Sequence, residues 1–321
     1  MTNVSKAHIS IIITAFNEER DLPVLLASLA SLRGDPAFEI IVVDNGSTDG
    51  TANRAWVGGA KVVSIERSKV GAGRNAGVKA SRGSILAFLD ADVIATEQWI
   101  ASIRALADHA RESVITGDVY DIVEQPSWIE RHWFGSLYAR GAQSYLNGGN
   151  LIIARADFAK VGGFDEDMVS GEDVEFCMRA ADAGIRVSPD RNLRVLHQGY
   201  PSTAKQFINR EAWHGRSDFA SMRSFLASPV AITAAMFAVL HLTLFVGVLG
   251  QYWMLADLSA VGIGFLCLAS AVWKWRRAGL TSRLVNAGVF YLYFTGRAVG
   301  GAREVIHQAK RHFGTEVPLS L

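Results

Sequence analysis

The residues best equipped for chemistry lie between Ser84 and Val93, S-I-L-A-F-L-D-A-D-V, where an apolar run ends in two carboxylates, Asp90 and Asp92. Ile85 to Leu89 is too short and too uniformly apolar for a surface helix, and it fits a central parallel strand covered on both faces. Such strands present ligands at their carboxyl ends. On a backbone that stays extended, residues two apart project to the same side, so the spacing predicts that Asp90 and Asp92 converge on one cation. A hard divalent ion held by one or two carboxylates and by substrate phosphates is the matching chemistry. Taken alone, D-A-D fits a polar turn after a strand better than a metal site, and the rest of the chain must tip that balance. Asp173, in Gly171-Glu172-Asp173, stands before a helical run (Val174, Cys177, Met178, Ala181) that Gly184 stops. A carboxylate there serves either as a general base or as a cap and macrodipole partner. His197 ends the short apolar segment Val195-Leu196, where a histidine is either structural or a ligand.

These side chains need elements to hold them. Ile9 to Ile13 is an apolar run ended by Thr14-Ala15-Phe16-Asn17-Glu18-Glu19, after which Leu22, Leu25, Leu26 and Leu29 recur at helical spacing. Phe38 to Val43 repeats the pattern and ends in Asp44-Asn45-Gly46-Ser47-Thr48-Asp49-Gly50, a loop of turn-formers and helix caps. Lys61 to Ile65 is a third strand, and Gly71 to Gly77 opens the next helix. Its glycines read G-x-G-x-x-x-G after the third strand, which excludes a dinucleotide fingerprint. They still allow a phosphate to approach backbone N–H groups, with Arg74 adding charge, or simply allow tight helix packing. Three strand-helix units before the D-A-D predict an α/β domain with a mainly parallel, Rossmann-like sheet. Thr96 is placed to cap a helix running to Ala110, and Val114 to Gly117 reads as a further strand. Between Tyr120 and Leu146 the aromatics Trp128, Trp133, Phe134, Tyr138 and Tyr145 show no clean period. That stretch faces an acceptor or packs beneath a long loop.

The chain has 321 residues, of which half are hydrophobic, and charged residues concentrate before Ser228. Its mean hydropathy is +0.18. A net charge of +1 gives no ground for a nucleic-acid partner. The two cysteines, Cys177 and Cys267, suggest neither a disulfide framework nor a cysteine metal site, and a reducing compartment is expected. Met1 to His8 lacks the order of a signal peptide, so the head is expected to stay on the side where it was made. Val230 to Gly250 and Leu255 to Trp273 are each about the ~20 residues a membrane span needs. Basic residues flank both outer ends (Arg210, Arg216, Arg223; Lys274, Arg276, Arg277, Arg283), and the connector Gln251 to Asp257 has none. The positive-inside rule then predicts a hairpin in a cytoplasmic (inner) membrane, with the head in the cytoplasm. Leu284 to Val299 reads as an interfacial helix or a third span, followed by a basic tail. The expected division is a head over 1–228 and a membrane region over 229–321.

The order of motifs from about Ile9 to Arg216 resembles family 2 glycosyltransferases with the GT-A fold. It runs T-A-F-N-E-E, V-D-N-G-S-T-D-G, G-R-N-A-G, L-D-A-D, G-G-N, G-G-F-D-E and G-E-D-V-E-F-C-M-R. The resemblance implies that Thr14, Ala15 and Glu18 surround the base and ribose of a nucleotide sugar, with Asp44 on the base. It places Arg74 and Asn75 close to the nucleotide, Asp90 beside ribose and metal, and Asp92 on Mg²⁺ or Mn²⁺, with His197 completing the metal or diphosphate site. Asp173 corresponds to the catalytic base, and Glu172 to its supporting neighbour. Gly148, Gly149, Arg210 and Trp213 are assigned to acceptor or diphosphate. Phe16 stands where tyrosine is common. Gln206, Arg210 and Trp213 lack the Q-x-x-R-W spacing of processive polymerases, which favours transfer of a single sugar.

The residue types lead to the same chemistry. A diphosphate leaving group calls for a cation, and an acceptor hydroxyl calls for a carboxylate base. With no second carboxylate placed as nucleophile, direct displacement with inversion is expected, to a lipid-linked or saccharide acceptor. Two rivals stand beside it: a polyprenyl-phosphate glycosyltransferase, and an inactive membrane-anchored subunit that only binds nucleotide sugar.

Overall fold

The computed structural model describes residues 8–107, 113–117, 119–122, 125–134, 145–276 and 279–312. Ala110, the expected end of the helix capped by Thr96, lies outside these residues, as do Tyr138 and the tail beyond 312. The chain packs into two compact units, one of residues 1–124 and 138–200, the other of 125–137 and 201–321.

The first unit is built on four parallel strands: β1 (Ile9–Ala15), β2 (Phe38–Asn45), β3 (Lys61–Ile65) and β4 (Ile85–Asp90). Two antiparallel joints follow, β4 to β8 (Asn150–Ala154) and β8 to β6 (Val114–Gly117), and β9 (Arg186–Val187) closes the edge, giving the order β3-β2-β1-β4-β8-β6-β9. Both faces are covered, which explains the uninterrupted apolar runs. Ile9, Ile11 and Ile13 share one core with Leu22, Leu25 and Leu26 of α1 (Leu22–Ser28) and with Trp99 and Ile103 of α4 (Glu97–Ala107). Ile12 points the other way, into a core with Phe158 of α5 (Arg155–Val161) and with Phe176 and Cys177 of α6 (Glu172–Asp182). On that face α3 (Val70–Ala80) contributes Ala76 and Val78. Helix α2 (Thr51–Val57) sends Ala55 into the first core. A small second sheet, invisible in the hydrophobic pattern, orders β5 (Val93–Ala95), β10 (Arg194–His197) and β7 (Val119–Ile122).

Going outward along the main sheet, chain order reverses between β1 and β4, so the loops after these strands diverge and leave a crevice at their carboxyl ends. Open α/β sheets bind ligands at such a switch point.

The second unit is helical: α7 (Ala204–Asp218), α8 (Met222–Ala227), α9 (Pro229–Leu249), α10 (Trp253–Lys274) and α11 (Leu280–His312), with a short π-helical turn at Glu130–Phe134. Thr203 and Gln206 form a capping box at the start of α7. Helices α9 and α10 are long and apolar enough to cross a membrane, and only 17% and 28% of their most apolar windows are buried, unlike core helices. The hairpin between them is pinned by a hydrogen bond between the Thr243 and Ser259 hydroxyls, 2.8 Å. The segment 284–299 lies inside α11, a single helix of 33 residues. Helix α11 crosses α7 closely because Gly296 and Gly300 carry no side chain where they meet the backbone at Ile208 and Ala212. Arg297 then reaches Glu211 at 3.1 Å and Asp218 at 2.8 Å. Trp133 packs edge-on against Phe290 and Trp275, with the Lys274 ammonium 3.1 Å from its ring centre.

Candidate functional site

Thr14, Asp44 and Asp90 come from the carboxyl ends of adjacent strands, with Thr14 in register with Asp90 and Ala15 with Asp44. The loops that follow β1 and β2 are laced together. Asn17, in the left-handed region at φ 56°, accepts the Thr48 N–H on Oδ1 at 2.8 Å and donates its own N–H to Ser47 Oγ at 3.0 Å. Glu18 donates its N–H to Thr51 Oγ1 at 2.8 Å, and Asp44 Oδ1 accepts the Ser47 N–H at 3.1 Å. Thr14 packs under Gly73 of α3. The Arg67 guanidinium covers the Phe16 ring at 3.5 Å.

The strand carrying the D-A-D ends at Asp90, and Ala91-Asp92 form a turn before β5. The extended-backbone argument for one shared face therefore fails at Ala91. Asp90 instead bonds Arg74, while Asp92 faces His197, its Oδ2 3.6 Å from Nε2. His197 is brought there by the small sheet, in which it pairs with Val93. Its Nδ1 accepts the Gly199 N–H at 3.1 Å, so the ring proton sits on Nε2, aimed at the carboxylate. Tyr200 stacks on the same ring at 4.0 Å. Gly199 lies so close to the Asp92 carboxylate that a Cβ there would strike it.

The N-G-G-N loop, Asn147 to Asn150, joins the end of β4 to α6. The Asp90 N–H donates to the Gly149 carbonyl at 3.0 Å, and the Gly148 N–H donates to Asp173 Oδ2 at 3.2 Å. Asn147 Oδ1 accepts from the Gly149 N–H at 2.8 Å and from the Tyr120 hydroxyl at 3.1 Å. Asn150, wholly buried, accepts the Trp99 indole N–H at 3.1 Å and donates to the Leu193 carbonyl at 2.7 Å. Tyr120 and Trp99 had no motif to mark them; only the fold brings them here.

Two residues that the sequence placed near a nucleotide are occupied by the protein itself. Arg74 is 4% exposed, its Nη1 2.6 Å from Glu172 Oε1 and its Nη2 3.1 Å from Asp90 Oδ1. Asn75 donates to the Phe164 carbonyl at 2.8 Å and to Glu166 at 3.0 Å, and accepts the Phe164 N–H at 3.1 Å. Glu172 is the first residue of α6 and buried, whereas Asp173 is half-buried with its Oδ1 on the Val174 N–H at 2.8 Å. Arg210 and Trp213 belong to the second unit, where Arg210 pairs with Glu211 at 2.6 Å and Trp213 is 51% exposed.

The crevice is rich in acids. Burial, followed by the charges of Asp92, Asp21, Asp90 and Asp49, pushes the Glu18 carboxyl up to about 7. Among the described residues, no three histidine, cysteine or acidic side chains form a ready-made metal cage. A half-exposed aspartate among other acids, with a histidine beside it, nonetheless suits a divalent ion that draws its remaining ligands from substrate phosphates. Ligation through His197 Nε2 requires the ring to release the Gly199 N–H; otherwise Nε2 donates to a carboxylate or phosphate oxygen.

Residues 10–165 match the family described as Glycosyl transferase family 2. Over 228 residues the chain is 29% identical to the pre-mycofactocin glycosyltransferase of Mycobacterium tuberculosis, covering 66% of this chain and 47% of that protein. It is 28% identical over 205 residues to glycosyltransferase AglE of Haloferax volcanii, covering 60% of this chain and 67% of that one. The chain thus spans about half the length of the mycobacterial relative. A mannosyltransferase from Pyrobaculum calidifontis, solved with GDP-Man and Mn²⁺, matches 98% of this chain and 89% of its own with a TM-score of 0.50 at 17% identity, a likeness of fold. The mixed, mostly parallel sheet and this likeness are those of a GT-A-like fold. The domain of residues 10–165, whose strand ends carry Thr14, Asp44 and Asp90, is thus a glycosyl transferase family 2 domain.

Proposed function

We propose that this protein is an inverting, metal-dependent glycosyltransferase of hexosyltransferase type. It moves one sugar from a nucleotide-sugar donor to a hydroxyl of a lipid-linked or saccharide acceptor at a membrane. The observation that carries this reading is the pair of bonds from one dipeptide, Gly148-Gly149, to the donor-side Asp90 and to Asp173 at the start of α6. A donor lying along the strand ends would then have its reacting carbon near a carboxylate on a different element. In this reading Thr14, Ala15, Glu18 and Asp44 receive base and ribose, with Arg74 and Asn75 directly beneath. Gly148, Gly149, Arg210 and Trp213 serve acceptor or diphosphate.

Asp173 takes the proton of the acceptor hydroxyl as its oxygen attacks the anomeric carbon, and the nucleoside diphosphate departs from the opposite face. One displacement inverts the configuration. Mg²⁺ or Mn²⁺, held by Asp92, Asp90 and His197, would neutralise charge on the departing diphosphate. The test is to incubate the full chain and native lipid extract with a panel of nucleotide sugars and Mn²⁺, measuring released nucleoside diphosphate and new glycolipid. Release that needs both acceptor and metal supports the reading, and no release from any donor contradicts it.

The two exposed apolar helices support attachment to a membrane; from the basic flanks we propose a multi-pass protein of the cytoplasmic membrane, with a head over 1–228 in the cytoplasm and a membrane region over 229–321. Protease added to inverted vesicles should digest the head and spare Gln251 to Asp257; a protected head would refute this topology. The same helices favour one second reading, in which a polyprenyl phosphate is the acceptor and needs no base.

A further inference from the structure

We infer that Arg74 is a positioning residue that locks the donor-side strand end to the base-bearing helix, and that it does not touch the donor. The inference rests on the glycosyl-transfer reading and deepens it at the same site. The Arg74 side chain is 5% exposed. Its Nη2 donates to Asp90 Oδ1 at 3.1 Å and its Nη1 to Glu172 Oε1 at 2.6 Å, so one planar guanidinium spans two acids that are far apart in sequence.

Gly148 roofs this bridge. A methyl group at Gly148 would run into the guanidinium carbon and both terminal nitrogens, so only glycine lets the loop lie this close. The roof is itself bonded on both sides: the Gly148 N–H reaches Asp173, and the Gly149 carbonyl takes the Asp90 N–H. Because Asp173 directly follows Glu172 in α6, a closed ring results. It runs from Asp90 through Arg74, Glu172, Asp173 and Gly148-Gly149 back to Asp90. An arginine serving a diphosphate would present its terminal nitrogens at the crevice surface, whereas here both are covered by the loop and spent on carboxylates.

A ring of bonded groups sets the separation between the donor-side carboxylate and the base. Opening it lets that separation drift, and a misplacement of about 1 Å costs on the order of 10²-fold in rate. Lysine restores the charge but, as a point donor on a flexible stem, does not hold both acids in one plane.

The experiment compares wild type, R74K, R74Q and the charge-balanced R74Q/E172Q as full chains. It measures kcat with the donor that wild type turns over, and by calorimetry the Kd of the matching nucleoside diphosphate with Mn²⁺. The expected result is a fall in kcat of about 10²-fold in R74K and R74Q, with Kd within about threefold of wild type. The double variant keeps the protein folded should R74Q alone unfold, and it shows the same loss of kcat. A Kd weakened tenfold or more with kcat retained would overturn the inference and make Arg74 a donor ligand. Recovery of wild-type kcat in R74K or in the double variant would also overturn it, by reducing the arginine to charge compensation. A wild-type protein that neither binds nor turns over any nucleotide sugar would instead overturn the glycosyl-transfer reading itself.

Discussion

In both units burial pushes a titratable side chain towards its neutral form, reinforced by acids in the first and by arginines in the second. At the strand ends of the first, burial and then the charges of Asp92, Asp21, Asp90 and Asp49 push the Glu18 carboxyl up to about 7. In the second, burial and then Arg210 and Arg297 push the His214 imidazole down to about 3. Each unit also holds an arginine between two acids, Arg74 with Asp90 and Glu172, and Arg297 with Glu211 and Asp218. The second arrangement closes on itself and joins two helices. In the first, Asp90 remains 33% exposed and lies near the acids Asp92 and Glu18, so the strand ends are suited to receive a cation. Similar ion pairs therefore serve as a fastener in one unit and, in the proposed reading, as part of a ligand site in the other, according to what surrounds them.

The largest expected effect comes from breaking the fastener. Glu211 is 1% exposed, and Glu211→Ala leaves Arg297 and Arg210 short of a buried partner, which costs about 3–5 kcal/mol. Thermal unfolding in detergent should show the helical unit melting early while nucleotide binding by the head persists. Loss of both together would mean that the two units are not separable in this way.

Two glycines sharpen the contrast at the next level. A Cβ at Gly149 would collide with the Asp90 carboxylate, and one at Gly300 with the Ala212 carbonyl. Gly149→Ala should lower turnover about 10²-fold through displacement of reacting groups, with a small change in melting temperature. Gly300→Ala should cost about 1–3 kcal/mol of stability and leave donor affinity unchanged. A Gly300→Ala protein with normal stability would show that the α7–α11 crossing is looser than described.

The smallest effect is a pH dependence. The Glu18 carboxyl is raised from an ordinary value of 4.5 to about 7, so the folded head binds its proton more tightly than the unfolded chain does. Its contribution therefore falls as pH rises from 4.5 towards 7, and the metal-free head should be less stable at pH 8 than at pH 5 from this group. Glu18→Gln should flatten that slope, and Mn²⁺ should do the same in wild type. An unchanged slope in Glu18→Gln would assign it to other groups.

The main sheet could be read from the amino-acid sequence because β1, β2 and β4 are buried on both faces, and doubly buried strands leave apolar runs such as Ile9 to Ile13 that few other structures produce. The small sheet could not. Its strands β5, β7 and β10 are short, and they pair residues as distant as Val93 and His197. The acids of the crevice were visible as ends of apolar runs, but their partners were not. Arg74 sits in a glycine-rich helix start that reads as a phosphate cradle, and only tertiary structure shows that Glu172, 98 residues away, takes its charge. Likewise nothing local marks Glu211 as the partner of Arg297, 86 residues on.

The most direct measurement concerns Asp173, whose substitution by asparagine keeps the side chain's size and one oxygen to accept either the Gly148 or the Val174 N–H. With the donor and acceptor found productive for wild type, Asp173→Asn should bind nucleoside diphosphate and Mn²⁺ as wild type does, while transfer falls by about 10² to 10⁴. Near-normal transfer by folded Asp173→Asn protein would contradict the account, removing the base and pointing to an acceptor oxygen that is already deprotonated.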